Sequence, residues 1–529
     1  MEINMKNKAF GILKWALFAV LIVHIVLPLL TLFGHISLGD AEKFLFSAQF
    51  GSMLWNSVLS ATVAMLVSVG IALILAWCIN RTAIKHKNVL TVLFTLPMLV
   101  PSISHGMGLT LLFGDNGFFT NLTGINIHLF GMTGIVIGAT LYSFPMAFLM
   151  LTDIFRYEDF TVYEVAEVLG FSKAKQFFKI TLPNLKKTLI STAFAVFTMV
   201  FTDYGVPLTV GGTMTTLPVY MYREVIGLLD YSKGGIIGVI LLIPAVIAFL
   251  VDILSKESGA ASTVTRPYQV GESRVRDAAA QIICLLVLIL ISLPILTFVV
   301  LSFVKQYPVD LSFTLENIKE AFELGIGRYL LNSLFIALTA ALLGTLAAYY
   351  AAFVTSRTAK PLSSMALHLI SIISLSIPGI VLGLSYVLFF KGSFIYGTFA
   401  ILISVNIIHF FSSPYLMAYN ALLKFNNNLE DVAQSLGISK LRMLVDVYMP
   451  STQETVLEMF SYIFVNSMVT ISAVSFLANF KNMPLALLIP QFDSQSLIEA
   501  VSFISVIILI VNVAMKLIVH FLKRRFAAE

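Results

Sequence analysis

Two stretches of the chain carry the same pattern of polar and small residues. The first reads EVAEVLGFSKAKQFFKITLP and the second reads DVAQSLGISKLRMLVDVYMP, and they align without a gap. These residue types suit helix ends and turns rather than catalysis or metal binding. The matched residues are Glu164 and Asp431, Ala166 and Ala433, Gly170 and Gly437, and Pro183 and Pro450.

The order of these residues predicts a short helix, a turn and a second short helix. An acidic residue is favoured near a helix N-terminus by the helix dipole. Glycine allows the left-handed conformation that ends a helix, and the serine after it can cap the next one. The alanine offers a small surface for close approach, and the proline is expected to end the second helix. Such a hairpin could dock on a partner protein and push on the helices that flank it, although an ordinary helix pair with no partner is the alternative.

A second group of polar residues lies inside apolar sequence, where ionisable groups are costly and usually functional. Asp203 lies in FTDYGVPLTVGG, where Gly and Pro would open a helix and free backbone groups to line a cavity. Alternatively, Asp203 caps a helix in water at the outer membrane surface. His24, His105 and His409 share no ligand spacing, so we expect packing roles and no metal site. The predicted path residues are Thr202, Asp203, Tyr204, Asn466, Ser467, Thr470 and Ser472.

The composition excludes a soluble enzyme, a disordered chain and a nucleic-acid binder. Of the 529 residues, 58% are hydrophobic and 12% are charged, whereas soluble domains have about 25% charged residues. Long apolar runs predict an all-α polytopic membrane protein. The twelve predicted spans are 12–33, 54–78, 89–113, 132–152, 188–208, 234–252, 279–304, 332–355, 364–390, 397–420, 456–478 and 498–520.

The distribution of basic residues predicts the orientation. About three quarters of the 33 Lys and Arg residues fall on one side of the predicted spans, and this side is normally cytoplasmic. We therefore expect a multi-pass protein of the cytoplasmic membrane with both termini in the cytoplasm and an uncleaved first span.

The chain contains an internal duplication. Asn56-Ser57 and Arg81-Thr82-Ala83 recur in the same order as Asn332-Ser333 and Arg357-Thr358-Ala359. The predicted organisation is a first half at 1–252, a cytoplasmic linker at 253–278 and a second half at 279–529. Each half has six predicted spans, so the copies should run parallel.

The E-A-A---G---------I-LP pattern between the fourth and fifth spans resembles the permease subunits of bacterial ABC importers. The resemblance covers most of the chain as two fused permease domains, about 55–250 and 330–520. Val165 departs from the family pattern, as do Asp431-Val432 and Met449.

The resemblance implies that partner proteins bind ATP and deliver the solute. The hairpins would be coupling helices on two copies of a cytoplasmic ATPase that binds ATP and Mg²⁺, and an extracytoplasmic binding protein would deliver the solute. The 529 residues contain no G-x-x-x-x-G-K-[ST] phosphate loop, so we expect no enzyme activity and no cofactor bound by this chain.

The same resemblance suggests a solute. The fused layout is similar to the subfamily for ferric iron and phosphonate uptake, and segments such as YREVIGLLDY resemble permeases assigned to 2-aminoethylphosphonate. We expect the solute to be a phosphonate, and ferric iron is the second candidate. The alternatives are an ion-gradient-driven secondary transporter, a channel and a membrane enzyme. A secondary transporter needs more intramembrane carboxylates, and an enzyme needs a catalytic cluster near one membrane face.

Overall fold

The computed structural model describes residues 2–156, 158–255, 266, 268–358, 362–426 and 428–528. Helices make up most of this part of the chain, which confirms the predicted all-α membrane class. The strands found in the described residues are β1 (Val304–Gln306) and β2 (Asp310–Phe313), which pair antiparallel.

Short 3₁₀ and π segments interrupt or join the helices. The π segments are Ile22–Val26, Phe177–Thr181 and Leu444–Tyr448, and the 3₁₀ segments are Leu96–Leu99, Ser374–Ser376 and Leu485–Leu487. The α-helices up to the linker are α1 (Glu2–Leu21), α2 (Leu27–Gly34), α3 (Leu38–Leu45), α4 (Ala48–Arg81), α5 (Lys87–Leu93), α6 (Ser102–Phe113), α7 (Phe118–Thr123), α8 (Met132–Arg156), α9 (Thr161–Val168), α10 (Lys173–Gln176), α11 (Leu182–Phe201), α12 (Gly205–Val210), α13 (Leu217–Leu228) and α14 (Tyr231–Ser255). The α-helices after it are α15 (Arg274–Leu301), α16 (Glu316–Glu323), α17 (Ile326–Arg357), α18 (Leu362–Ile373), α19 (Gly379–Phe390), α20 (Phe399–His409), α21 (Ser412–Leu422), α22 (Asn428–Ser435), α23 (Lys440–Met443), α24 (Met449–Ser451), α25 (Gln453–Val469), α26 (Leu488–Asp493) and α27 (Ile498–Ala528).

Among the described residues, seven helices are long and apolar enough to cross a membrane, and nine if two bent pairs each count as one span. The bent pairs correspond to predicted spans 364–390 and 397–420, which bend by 112° and 50°. The remaining predicted spans, 89–113, 188–208 and 456–478, do not form one continuous helix each.

Proline, glycine and polar residues account for these breaks. In the span predicted at 89–113, a 3₁₀ turn containing Pro97 separates α5 from α6, and Pro101 caps α6. Proline lacks the N–H that an uninterrupted helix needs. In the span predicted at 188–208, α11 ends at Phe201 and the chain turns before α12. The predicted opening of the helix near Asp203 is therefore present.

Chain contacts divide the molecule into two compact units. We call Lys43–Tyr222 with Ile243–Asn317 the amino-terminal unit. We call Met1–Glu42 with Arg223–Leu242 and Ile318–Glu529 the carboxy-terminal unit. The predicted halves describe the repeat along the sequence, whereas each unit in space also takes in helices from the other half.

Each unit contains most or all of one repeat and also a helix that lies, in the sequence, just before the other repeat. This helix packs against the repeat of its own unit. In the carboxy-terminal unit, α2 packs along α19. In the amino-terminal unit, α15 packs along α6, where a Cβ atom on Gly108 would lie 2.7 Å from the Pro294 Cβ. Small residues allow such close helix packing in membranes.

Candidate functional site

Both predicted hairpins are present and have the same local geometry. In the first, α9 leads through Gly170, with φ of +73°, to α10. In the second, α22 leads through Gly437, with φ of +69°, to α23. Glu164 and Asp431 lie in the first turns of α9 and α22, as predicted. The left-handed glycines confirm the turn that the sequence predicts.

Hydrogen bonds close the two turns in the same way. The backbone N–H of Phe171 donates to the Ala166 carbonyl at 2.9 Å, and that of Ile438 donates to the Ala433 carbonyl at 2.8 Å. This bond is typical of a helix end with a left-handed glycine. Ser172 and Ser439 then cap the second helices by accepting bonds from the N–H groups of Lys175 and Arg442. The predicted serine caps are therefore confirmed.

The prediction that proline ends the second helix is wrong. Pro183 and Pro450 lie in the first turns of α11 and α24, and each follows directly on a π segment that continues the preceding helix. A proline ring inside a helix clashes with the carbonyl four residues earlier. The wider π turn accommodates the ring, so the first hairpin runs into α11 without a break, whereas in the second copy α24 ends at Ser451 and a turn at Thr452 precedes α25.

The two hairpins expose apolar side chains at matching positions. Val165 and Val432 are 54% and 53% exposed, and Leu169 and Leu436 are 67% and 69% exposed. In contrast, Ala166 and Ala433 are buried, so the small surface predicted for the alanines is not available to a partner. The exposed valine and leucine form the available face, whereas the sequence analysis named the valines only as departures from the family pattern.

In the carboxy-terminal unit, a buried arginine fixes the start of the hairpin. Arg357 ends α17, and its side chain is 1% exposed. Its Nε and Nη2 atoms donate to the two Glu430 carboxylate oxygens at 2.7 Å each. Nη1 and Nη2 also donate to the carbonyls of Phe425 and Asn426. Arg357 therefore joins a membrane helix, the loop after α21 and α22 through a bidentate contact.

Tyr448 completes this anchor. Tyr448 is the last residue of the π segment, and its hydroxyl donates to Glu430 Oε1 at a distance of 2.5 Å. Burial, with the neighbouring Glu430 carboxylate, raises the pKa of Tyr448 to about 12. Its phenol is therefore protonated near neutral pH and remains a hydrogen-bond donor.

The amino-terminal unit has a corresponding anchor at Arg81, the last residue of α4. Arg81 forms an ion pair with Glu158, and both side chains are 5% exposed. The Tyr163 hydroxyl donates to Glu158 at 2.9 Å and lies 2.7 Å from the Thr181 hydroxyl. The Arg81 guanidinium lies 3.4 Å from the centre of the Tyr268 ring, a cation–π contact. The sequence analysis used Arg81 and Arg357 only as markers of the repeat.

The repeated Asn-Ser pairs also have a structural role. The Ser57 hydroxyl accepts from the Leu217 N–H at 2.8 Å, and the Ser333 hydroxyl accepts from the Leu485 N–H at 2.7 Å. Asn56 donates to the Thr215 carbonyl, as Asn332 does to the carbonyls of Lys481 and Met483. In each unit, the pair holds the segment that follows the broken helix.

The Asp203 carboxylate accepts hydrogen bonds from residues of its own unit. Oδ1 accepts from the Ser102 hydroxyl at 2.7 Å, and Oδ2 accepts from the Val206 N–H at 2.9 Å. Asp203 therefore caps the short helix α12 and fixes it to the start of α6. This geometry shows the cap of the alternative, whereas its place in water at the outer membrane surface and a contact between Asp203 and a solute both stay predictions.

The other predicted path residues lie at the corresponding helix breaks. Thr202 donates to the Thr198 carbonyl at 2.9 Å, and the Tyr204 ring stacks on Tyr222 at 4.6 Å. In the carboxy-terminal unit, Asn466 donates to the Tyr462 carbonyl at 2.7 Å. The remaining residues lie at or near the end of α25: Ser467 is buried, Thr470 caps the helix, and Ser472 packs against Gly379.

Comparison with known proteins identifies the family. The family described as binding-protein-dependent transport system inner membrane component matches residues 68–256 and 341–528, one match for each repeat. These matches cover more than half of the chain. They also confirm the internal duplication.

Two relatives align along most of the chain. The ferric transport system permease protein of Actinobacillus pleuropneumoniae is 26% identical over 424 residues, which are 76% of this chain and 61% of that protein. A Haemophilus influenzae protein, provisionally named as a ferric transport permease, is 24% identical over 80% of this chain and 70% of its own length.

Another relative aligns with a shorter part of the chain. The thiamine transport system permease protein of Brucella abortus is 25% identical over 34% of this chain and 35% of its own length. The two fused repeats, the paired hairpins and these matches together show that the chain belongs to the inner membrane component family of binding-protein-dependent transport systems.

Proposed function

We propose that this chain forms a complete translocation pathway driven by a separate ATP-hydrolysing subunit. Each hairpin would bind one copy of that subunit, so one chain would bind two. An extracytoplasmic binding protein would deliver the solute, and both termini would lie in the cytoplasm. ATPase closure would move the two hairpins and switch the membrane helices between inward-open and outward-open states.

The matched exposure of apolar residues on the hairpins carries this proposal. Val165 and Leu169 repeat as Val432 and Leu436 with nearly the same exposed fractions. Apolar side chains on a polar helix pair are favourable in the core of a protein interface, where they lose contact with water. Because the same face occurs twice, it suits two copies of one partner.

We further propose ferric iron as the first solute to test. The two relatives that align with 76% and 80% of this chain, described above, bear names of ferric transport permeases. The 2-aminoethylphosphonate expected from the sequence stays a prediction and forms the second arm of the test. Other relatives carry the names of thiamine and spermidine/putrescine permeases, so the family name alone does not select a solute.

Purification in mild detergent from the native membrane tests the ATPase proposal. We expect a stoichiometric P-loop ATPase to co-purify with the tagged wild-type chain. Replacing both hairpin leucines with aspartate, Leu169→Asp with Leu436→Asp, should abolish this association because the docking face becomes charged. Phe480→Asp is the matched control, since Phe480 is 70% exposed but lies outside the hairpins.

Two outcomes would contradict this proposal. An ATPase that binds the double variant at full stoichiometry would show that the hairpin face is not the docking site. A wild-type chain that yields no ATPase even after cross-linking would favour the gradient-driven secondary transporter instead.

Solute identity requires a separate measurement. The co-purified complex and its binding protein should be reconstituted in liposomes that contain ATP. Uptake of radioactive Fe³⁺ held by the binding protein is compared with uptake of labelled 2-aminoethylphosphonate. ATP-dependent uptake of iron alone supports the ferric proposal, whereas uptake of the phosphonate alone rejects it.

A further inference from the structure

Each unit has a buried arginine at the point where a membrane helix meets a hairpin. Arg81 ends α4 and Arg357 ends α17, the two longest helices among the described residues. We propose that these arginines are positioning residues that transmit hairpin movement to the membrane helices. This inference rests on the proposed function and names residues outside the repeated hairpin signature.

The donor geometry at Arg357 favours transmission over simple stabilisation. Its guanidinium donates to Glu430 and to the carbonyls of Phe425 and Asn426. A planar guanidinium presents five donors in a rigid fork, so it fixes orientation as well as distance. A buried ion pair often adds little net stability compared with apolar packing, because its desolvation is costly. A rigid joint is therefore a better account of this pair than added stability.

A hydrogen bond to the π segment extends each anchor. The repeat aligns Tyr163 with Glu430, and Thr181 with Tyr448. Tyr163 bonds to Thr181 in one unit, and Tyr448 bonds to Glu430 in the other. The residue types differ, yet each bond joins the first hairpin helix to the end of the π segment. Each arginine thus lies in a network that reaches both arms of its hairpin.

The second hairpin also contains an exposed arginine–carboxylate pair, which serves as a control for the Arg357–Glu430 pair because it should not transmit force. Arg442 and Asp446 are 3.0 Å apart on α23 and the following π segment, with side chains 71% and 54% exposed. They are separated by one helical turn and contact water. Exposed pairs of this kind contribute little to stability. Arg442→Gln therefore removes an arginine from the hairpin without changing the joint.

The test measures solute transported per ATP hydrolysed by the complete complex in liposomes. We expect Arg357→Gln to lower this ratio at least tenfold while the ATPase still co-purifies. Glu430→Gln should have the same effect, and combining the two should cause little further loss because both changes break one joint. Arg442→Gln should retain the wild-type ratio.

The ratio distinguishes a joint from a stabilising contact. Loss of stability alone would reduce the amount of active complex and lower transport and ATP hydrolysis together, which leaves their ratio unchanged. That result, or a normal ratio in assembled Arg357→Gln complex, would overturn the inference. If Arg357→Gln does not accumulate in the membrane, Tyr448→Phe provides the milder change, since it leaves the Arg357–Glu430 pair in place and removes only the bonds of the Tyr448 hydroxyl to Glu430 and Arg357.

The wild-type complex separates this inference from the function on which it rests. A wild-type complex without ATP-dependent transport would overturn both. A coupled wild-type complex with unchanged ratios in Arg357→Gln and Tyr448→Phe would overturn only the role of the arginines.

Discussion

Replacing Gly170 tests whether the left-handed turn of the hairpin is required for transport. Gly170 has φ of +73°, and a Cβ atom there would meet no other atom within 4 Å. Steric space therefore does not limit a substitution at this position. The cost comes from the backbone, because a left-handed conformation costs a non-glycine residue about 1–2 kcal/mol. β-branched residues are the least tolerated.

We expect Gly170→Val to disfavour the hairpin geometry by about 2 kcal/mol, which corresponds to about a 30-fold change in its population. The turn would lose the bond from the Phe171 N–H to the Ala166 carbonyl. The strain lies in the hairpin turn and not within a membrane helix, so the variant should insert normally and lose most of its transport. ATP-dependent uptake in liposomes and the yield of folded protein are the measurements.

Two control variants make this result interpretable. Gly170→Asn adds a side chain of comparable size, but asparagine tolerates the left-handed region better, so it should retain much more transport. Gly51→Val adds the same valine at an open position in helix α4, where the backbone is helical. Equal transport by Gly170→Val and Gly170→Asn would refute the backbone argument, and full transport by both would refute the coupling role of the turn.

Two further predictions concern the helix breaks. Ser333→Ala removes the partner of the buried Leu485 N–H, which should lower stability by about 1–3 kcal/mol; thermal unfolding in detergent should show a lower midpoint than for Ser404→Ala, whose hydroxyl donates only within its own helix. Gly106→Ala should destabilise the amino-terminal unit because its Cβ would overlap the Thr209 hydroxyl, and adding Thr209→Ala should restore part of the lost stability; no difference between the single and double variants would exclude this clash.

The local structure of the hairpins could be predicted because it depends on short-range chemistry. A left-handed glycine and a serine cap act within a few residues, so their types and spacing are sufficient. The proline prediction was wrong because the effect of a proline depends on the backbone that precedes it. Pro183 and Pro450 would end an ordinary helix, but a π segment precedes each of them and widens the turn. A π segment has no comparably clear residue signature.

The broken spans could be predicted only in part. The glycine and proline after Asp203 indicate an opened helix, and the chain does leave the helix after Phe201. Apolar composition alone did not reveal that the spans predicted at 89–113 and 456–478 also lack a single continuous helix. Hydropathy measures how apolar a segment is, whereas continuity depends on each backbone hydrogen bond.

The arginine anchors show why a repeat can mark a site without revealing its chemistry. Arg81 and Arg357 occupy matching places, so the duplication draws attention to both. Their carboxylate partners do not match, since Glu158 precedes α9 whereas Glu430 lies within α22. A search for a repeated arginine–glutamate pair therefore finds nothing. Both copies retain the connection between membrane helix and hairpin although the carboxylate and the tyrosine stand at different repeat positions, as expected if the mechanical connection matters more than any one partner.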